Sequence, residues 1–443
     1  MNGKKFICFV LVFLLIVHGT VITLGADNEM FEYAIAYSDA SKIGIEKTTT
    51  NLGAVELETE KVVLDSKMRE SFAMTGMPVT AMAVLTASQN ISVTALTVGA
   101  DCVSDPKNNV LGLYAGMSVN INDLIAAAVL YNDINAVRTL ALGTSGSYSE
   151  FIDLMNRTAR RYSMKNTVFK NINGAKNAEQ TTTIEDMLIL IMAIYNSTSI
   201  FEITSSDTYY IRTTEIYNRQ KTLSNKFELI DSDSSNYKST VLGLGSFTDS
   251  DGVSITLMLT QSENERYAVA LRTEKKENRI SDAASAVDYI YKNFALVDIT
   301  KVLYNIGDKV DLKVGGEPVS VAVSKGKYKN IYLVVNAFYS KSAFYADEYT
   351  VVNPQSLPTH VNVGDEIKGF TVMYKNTKVA TIDMTVKSVG EQQTTKKQNS
   401  FTIYQSENGG RPKRTLKDHI WVLWAVAAIA VAAAILLIFG RKK

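Results

Sequence analysis

Short apolar runs alternate with helical stretches along residues 27–295. The runs "YAIAYSDAS", "ISVTALTVG", "SITLMLTQS" and "YAVALRTE" are rich in β-forming residues. A helix is expected to start within "NINDLIAAAVLY", where Asn120 is a good N-cap and Asp123 lies in the first turn. Further helices are expected at "YSEFIDLMNRTARRYSM", "TTIEDMLILIMAIYN" and "ISDAASAVDYIYKNF". This alternation predicts an α/β domain.

The pattern changes at residue 296. From there to residue 389, the runs "KVDLKV", "PVSVAV", "EIKGFTVMYK" and "KVATIDMTV" read as successive strands. Gly315-Gly316 and the segment "KNTK" are hairpin-like turn signals between such runs. Residues 296–389 are therefore expected to form a small β-rich domain. Residues 390–419 are polar and largely aperiodic, which is typical of a flexible linker.

The N-terminal segment, residues 1–26, has the order of a secretory signal peptide. Lys4 and Lys5 precede an apolar stretch, and small residues follow it. An uncleaved signal anchor is the alternative, because apolar residues resume at "VITL". Either way, the bulk of the chain is expected to be exported.

Residues 420–440 form a second apolar segment, "IWVLWAVAAIAVAAAILLIFG", which carries no charge. A helix of this length can cross a hydrocarbon core of about 30 Å. We therefore expect a C-terminal transmembrane helix, followed by a basic cytoplasmic tail at residues 441–443. With the signal peptide, this predicts a single-pass protein of the cell membrane whose ectodomain is extracytoplasmic.

Composition narrows the functional classes. The chain has 443 residues and a net charge of +1, so two folded domains are expected, and a nucleic-acid partner is not. Cleavage of the signal peptide would leave Cys102 as the only cysteine, which excludes an intramolecular disulfide. The three histidines, His18, His360 and His419, leave the α/β domain with neither a histidine-based zinc site nor a Ser-His-Asp triad. No metal or cofactor is expected.

Several segments, in order, resemble the D-alanyl-D-alanine carboxypeptidases, serine-type enzymes among the low-molecular-mass penicillin-binding proteins. They are "NVLGLYAGMSVNINDLIAAAVL", "FIDLMNRTARRYSMKNTVFKNINGA", "KTLSNKFELI" and "YIYKNFALVDITKVLYNIGDKVDL". The resemblance implies a β-lactamase/transpeptidase-like domain over residues 27–295, a small β domain over residues 296–389 and a membrane anchor. It also implies removal of the terminal D-Ala from peptidoglycan stem peptides.

The chemistry of that family rests on the motifs S-x-x-K, S-x-N and K-T-G. In the first, a serine at the head of a helix attacks the substrate carbonyl, and a lysine one turn later takes its proton. Alignment by the flanking residues places "FAMTGMPVTA" on this motif, so that Met74 takes the nucleophile position and Met77 the lysine position. We expect both methionines to be core residues of a buried helix.

The other two motifs also look lost. The second falls on "YNDINA", where Tyr131 and Asp133 replace the serine and the asparagine; we expect an aromatic cleft wall and a solvated carboxylate. The third falls on "VLGLGSFT", which is one residue short, so the lysine position is Leu244 or Gly245. No K-T-G triplet occurs in the chain.

Three serines satisfy S-x-x-K as a string: Ser104, Ser235 and Ser324. None of them opens an apolar helix, so we do not expect a nucleophile among them.

These residues favour a catalytically inactive relative with a binding, scaffolding or regulatory role at the cell wall. Its expected partners, besides the membrane, are peptidoglycan or a cell-wall synthesis protein. The alternative is an active serine-type D-Ala-D-Ala carboxypeptidase, which the family resemblance by itself implies.

Overall fold

The computed structural model describes residues 35–36, 49–103, 108–211, 221–324, 326–328, 332–336, 349–374 and 377–390. The segments predicted as signal peptide, linker after residue 390, transmembrane helix and basic tail lie outside these residues, as do Cys8 and Ser104.

Nineteen strands are formed by the described residues. They are β1 Ile35–Ala36, β2 Thr49–Glu56, β3 Val62–Ser66, β4 Phe72–Ala73, β5 Ala95–Thr97, β6 Ser118–Asn120, β7 Thr181–Thr182, β8 Thr208–Ile211, β9 Lys221–Ser224, β10 Val241–Thr248, β11 Ser254–Ser262, β12 Glu265–Thr273, β13 Phe294–Asp298, β14 Lys313–Val314, β15 Glu317–Ala322, β16 Tyr332–Asn336, β17 Tyr349–Val352, β18 Glu366–Tyr374 and β19 Thr377–Val389.

Eight α-helices accompany them in the same part of the chain. They are α1 Met77–Asn90, α2 Ile121–Tyr131, α3 Ile134–Ser145, α4 Tyr148–Arg161, α5 Ile184–Tyr195, α6 Thr198–Ser205, α7 Arg279–Asn293 and α8 Thr300–Asn305.

The larger sheet has six strands in the order β1-β3-β2-β12-β11-β10, antiparallel except for the β1–β3 pair. Helices α1 and α5 lie against one face, and α7 lies against the other. Because both faces are covered, β11 is buried along most of its length, as its run "SITLMLT" suggests. Helices α2, α3 and α4 pack around α1, which is buried from Met77 to Ala87.

The predicted β-rich region forms a second, five-stranded sheet in the order β14-β15-β19-β18-β17. Its strands alternate buried and exposed residues, with Phe370, Val372 and Tyr374 of β18 turned into a core of their own. Gly315 and Gly316, both at positive φ, make the turn between β14 and β15. The predicted boundary at residues 295/296 falls inside β13, which pairs with β16.

In the described part of the chain, no single helix is both long and apolar enough to cross a membrane. The bent pair α5–α6 has the length and composition of a broken membrane span, but nothing else marks it as one. Helix α5 is a buried core helix.

Candidate functional site

The head of the buried helix α1 is built around Gly76. This glycine is the N-cap, with φ 66° and ψ −128°, a conformation that a side chain would strain. Its N–H donates to the carbonyl of Gly174, 3.1 Å away. Pro78 lies within the first turn, where a backbone N–H has no helical partner. The helix therefore begins at Met77.

Met74 lies three residues ahead of that helix. Its N–H donates to the carbonyl of Gln180 at 2.8 Å, and its own carbonyl accepts from the Gln180 side chain at 2.9 Å. Met74 and Met77 are both 0% exposed, so the expectation that they are core residues holds. The expectation that Met74 belongs to the buried helix does not hold, because the turn at Gly76 separates it from α1.

One helical turn after Met77 comes Thr80, a residue that the sequence comparison did not single out. Its hydroxyl donates to Oδ1 of Asn132 at 2.9 Å, and Thr80 is fully buried. Asn132 ends α2 in the left-handed conformation, with φ 54° and ψ 39°. Its spacing could have identified Thr80 from the sequence. Thr80 lies three residues after Met77, and residues so spaced share one side of a helix.

Tyr131 and Asp133, which flank Asn132, differ in their surroundings. Tyr131 is half-buried, and the Lys226 ammonium lies 5.5 Å from the centre of its ring. Asp133 is 0% exposed, which corrects the expectation of a solvated carboxylate. Its oxygens accept from the backbone N–H groups of Asn135 at 3.0 Å, Ala136 at 3.2 Å and Val110 at 2.8 Å. Asp133 is thus the N-cap of α3 and a structural tie.

Strand β10 forms the opposite side of the site. A bulge between Val241 and Gly243 interrupts its pairing with β11. Leu244 has φ 91°, an unusual conformation for leucine that costs roughly 1–3 kcal/mol, and its side chain is buried. Gly245 faces the helix head: a Cβ there would lie 3.7 Å from Cε of Met77. Neither position presents an amine.

An open cavity of about 330 Å³ lies between the α2–α3 turn and β10. Its polar lining includes Asn108, Asn132, Ser246, Lys226 and Arg279. Within the described residues, no Asp or Glu lines it, and Met74 and Met77 lie outside its lining. Arg279 is paired with Glu228 at 2.8 Å, whereas Lys226 faces the Tyr131 ring.

Besides Tyr131, two residues with aliphatic hydroxyls line this cavity, Ser246 and Thr248. Ser246 accepts a hydrogen bond from Thr256 at 2.8 Å, and Thr248 shares one with Ser254 at 2.7 Å. Among the described residues, no hydrogen bond joins either hydroxyl to a lysine, histidine or carboxylate. Nucleophilic catalysis requires such a base beside the attacking oxygen.

Two of the S-x-x-K strings fall on described residues. Lys238, three residues after Ser235, is paired with Asp288 at 2.6 Å. Lys327, three residues after Ser324, is paired with Glu366 and Asp383, and its hydrogen bond to Glu366 raises the pKa of its ammonium. Both amines are engaged by carboxylates, so neither is free to take a proton from serine.

No group of three or more His, Cys, Asp and Glu side chains close enough to hold a metal ion occurs in the part of the chain that the structure describes.

The chain was compared with known families and proteins. A family model described as D-alanyl-D-alanine carboxypeptidase matches residues 46–273. The curated D-alanyl-D-alanine carboxypeptidase DacC of Escherichia coli (strain K12) is 25% identical over 233 residues, which cover 51% of this chain and 56% of that protein. The match therefore spans little more than half the length of this curated relative.

Two solved structures show the likeness in fold. The D-alanyl-D-alanine carboxypeptidase DacD from Francisella tularensis has a TM-score of 0.59 at 17% identity, covering 79% of this chain and 95% of its own. Penicillin binding protein 5 from Haemophilus influenzae has a TM-score of 0.56 at 15% identity, and the match covers 78% of this chain and 98% of that protein's chain. The mixed α/β fold of such penicillin-binding proteins, with an additional β domain, is thus present here.

Proposed function

Because this chain belongs to the D-alanyl-D-alanine carboxypeptidase family, we propose that it is a catalytically inactive member with a binding, scaffolding or regulatory role at the cell wall. The observation that carries the proposal is that fully buried methionines hold both positions where the motif's serine could lie: Met74, which the flanking residues align with the nucleophile, and Met77, which heads α1 as that serine heads its helix. A thioether has no proton to lose and is too weak a nucleophile to form and turn over an acyl-enzyme.

The loss extends beyond one residue. Whether the lysine position is read as Met77 or as Thr80, it carries no amine, and Leu244 and Gly245 supply none from β10. In a serine protease, removing the nucleophile or its base alone lowers turnover on the order of a million-fold. A site that lacks both should not turn over a peptide.

The competing function is serine-type D-Ala-D-Ala carboxypeptidase activity, which the family match favours. It would require a substitute nucleophile. Thr75 adjoins the helix head, but it is 3% exposed, and its hydroxyl has no hydrogen-bond partner among the described residues. Ser246 and Thr248 reach the cavity without a base.

A binding role is supported by the cavity beside the helix head. It retains amides, hydroxyls and two cationic side chains, Lys226 and Arg279, so it suits a polar or anionic ligand such as a peptidoglycan fragment. The location belongs to the same proposal: residues 1–26 export the chain, and residues 420–440 anchor it in the membrane with the ectodomain outside.

The first experiment is an assay for D-alanine release from a peptide that ends in D-Ala-D-Ala. The full chain in detergent should release none above the blank, while E. coli DacC run in parallel serves as the active reference. Release at a rate comparable to that of DacC would replace this proposal with the carboxypeptidase function.

The binding role is tested by co-sedimentation with purified peptidoglycan. The Lys226→Ala variant should bind more weakly than the chain itself, because it removes a cation from the cavity lining. Lys275→Ala, which changes an exposed lysine that has no ion pair among the described residues, is the control and should bind normally. Equal binding by both variants would exclude the cavity as the binding site.

A further inference from the structure

A second feature lies away from the cavity. It is a stretch of the chain whose charged residues are all basic. Residues 154–178 contain six Lys and Arg residues and no Asp or Glu. The whole chain has 46 basic and 45 acidic residues, so this run is a local concentration and not a property of the composition.

Two of the six are neutralised by ion pairs. Lys170 lies 2.8 Å from Glu179, and Lys176 is paired with Asp251. The other four form no ion pair with any described residue, and we call them the basic patch. The basic patch consists of Arg157, Arg160, Arg161 and Lys165.

The basic patch is exposed on an ordered frame. Arg157, Arg160 and Arg161 are spaced i, i+3 and i+4 on α4, so they share one side of the helix. The turn that carries Lys165 is closed by a hydrogen bond of 3.0 Å from the N–H of Met164 to the carbonyl of Ala159. The four side chains therefore extend from an ordered stretch of backbone.

The dipole of α4 favours only two of these four cations. Arg160 and Arg161 lie in the last turn of α4, where the helix dipole favours cations. Arg157 precedes that turn and Lys165 follows the helix, so neither gains much from it. Like charges at this spacing repel one another, and an external anion would relieve that repulsion.

The basic patch is also remote from the cavity. The Arg161 guanidinium contacts the Gln89 side chain, which in turn donates to Tyr162 at 2.6 Å. Gln89 is near the end of α1, and the helix rises about 18 Å between Met77 and Gln89. A ligand on the patch would not enter the cavity.

We propose that the basic patch binds a flexible polymer of phosphodiesters, of the poly(glycerol phosphate) type. Three of its four cations are arginines, whose planar fork matches phosphate oxygens with paired hydrogen bonds. A lipid surface fits less well, because residues 154–178 expose no Trp, Phe or Leu, the side chains that bury into a bilayer interface. This inference holds whether or not the cavity is catalytically active.

The test measures binding of the full chain in detergent to synthetic poly(glycerol phosphate) at several salt concentrations. The patch variant carries Arg157→Gln, Arg160→Gln, Arg161→Gln and Lys165→Gln. A matched control removes four exposed, unpaired lysines from other surfaces of the described chain, so that both variants have the same net charge. The control carries Lys275→Gln, Lys276→Gln, Lys292→Gln and Lys301→Gln.

The patch variant should lose affinity on the order of tenfold and show a weaker salt dependence, because it contacts fewer phosphates. The control should bind within about twofold of the unaltered chain, since none of its four changes removes a patch contact. Equal losses in both variants, or no binding at low salt, would overturn the proposal. So would a patch-dependent affinity for vesicles of phosphatidylglycerol and phosphatidylcholine without binding of the polymer, which would assign the patch to the membrane.

Discussion

Thr80 and Asn132 join the buried helix to the turn beside the cavity. The Thr80 hydroxyl donates to the Asn132 amide oxygen at 2.9 Å, and Thr80 has no exposed surface. A buried hydroxyl that bonds an amide can fix the position of a turn, but it cannot replace a neutral lysine amine in taking a proton. At the scale of residues, the Thr80 contact near the helix head therefore stabilises the fold and supplies no base.

Thr80→Val tests this contact. It removes the donor and leaves the Asn132 oxygen without it, so the free energy of unfolding should fall by about 1–3 kcal/mol in a urea titration. Thr86→Val is a matched control on the same helix, because the Thr86 hydroxyl is buried and has no hydrogen-bond partner among the described residues. The control should be neutral or slightly stabilising. A loss of the same size in both variants would mean that the Thr80–Asn132 bond contributes nothing specific.

At the scale of elements, one carboxylate helps to join α3 to the chain around residue 110. Asp133 caps α3 and also accepts the N–H of Val110 at 2.8 Å, a contact between segments far apart in sequence. Within the described residues, the side chain of Asn120, the N-cap of α2, bonds only to the N–H of Asn122, at 2.9 Å. Asp133 therefore links α3 to another segment, whereas Asn120 caps its own helix.

Asp133→Ala should lower the free energy of unfolding by about 2–4 kcal/mol, because it removes a cap and leaves the Val110 N–H unsatisfied. Asn120→Ala, which removes a cap alone, should cost about 1 kcal/mol. Both values come from urea titrations at the same pH. Indistinguishable losses would show that the tie to Val110 does not stabilise the fold.

Local signals predicted many of the elements. The cap at Asn120, the helical runs of α5 and α7 and the glycine pair before β15 are all confirmed. Met74 was expected to lie in the buried helix, but α1 begins three residues later, at Met77. The pair Gly76 and Pro78 contained the better signal, a glycine N-cap followed by a first-turn proline.

Contacts between distant segments could not be predicted in this way. The bond between Thr80 and Asn132 spans 52 residues, and that between Gln180 and Met74 spans 106. Asp133 was expected to be solvated because its burial depends on where residue 110 lies, and periodicity carries no such information. The sequence thus predicted the helices and turns better than the contacts between them.

At the scale of the whole molecule, one buried acid should influence the stability of the α/β domain. Glu56, at the end of β2, is 0% exposed, and burial raises the pKa of its carboxyl above 4.5 despite hydrogen bonds from Thr59. Its second oxygen has no hydrogen-bond partner among the described residues. Repulsion from the neighbouring carboxylate of Glu58 also raises the pKa of Glu56.

A raised pKa in the folded state means that stability is full below the unfolded pKa, near 4.5, and is lost as the pH rises through the folded value. Glu56→Gln should therefore flatten the decline in the free energy of unfolding between about pH 4.5 and pH 8. The exposed Glu277, which is not among the groups acting on Glu56, is changed to Gln as the control and should keep the decline. If Glu56→Gln declines as steeply as the unaltered chain, another group causes the pH dependence.

The absence of an acylating residue at the helix head is the central claim, and labelling with a fluorescent penicillin tests it most directly. The full chain is incubated with the label, separated in denaturing conditions and examined by mass spectrometry, with E. coli DacC as the reference. We expect no covalent adduct on this chain under conditions that label the reference, because Met74 and Met77 offer no hydroxyl. An adduct mapped to any serine or threonine of the chain would contradict the account.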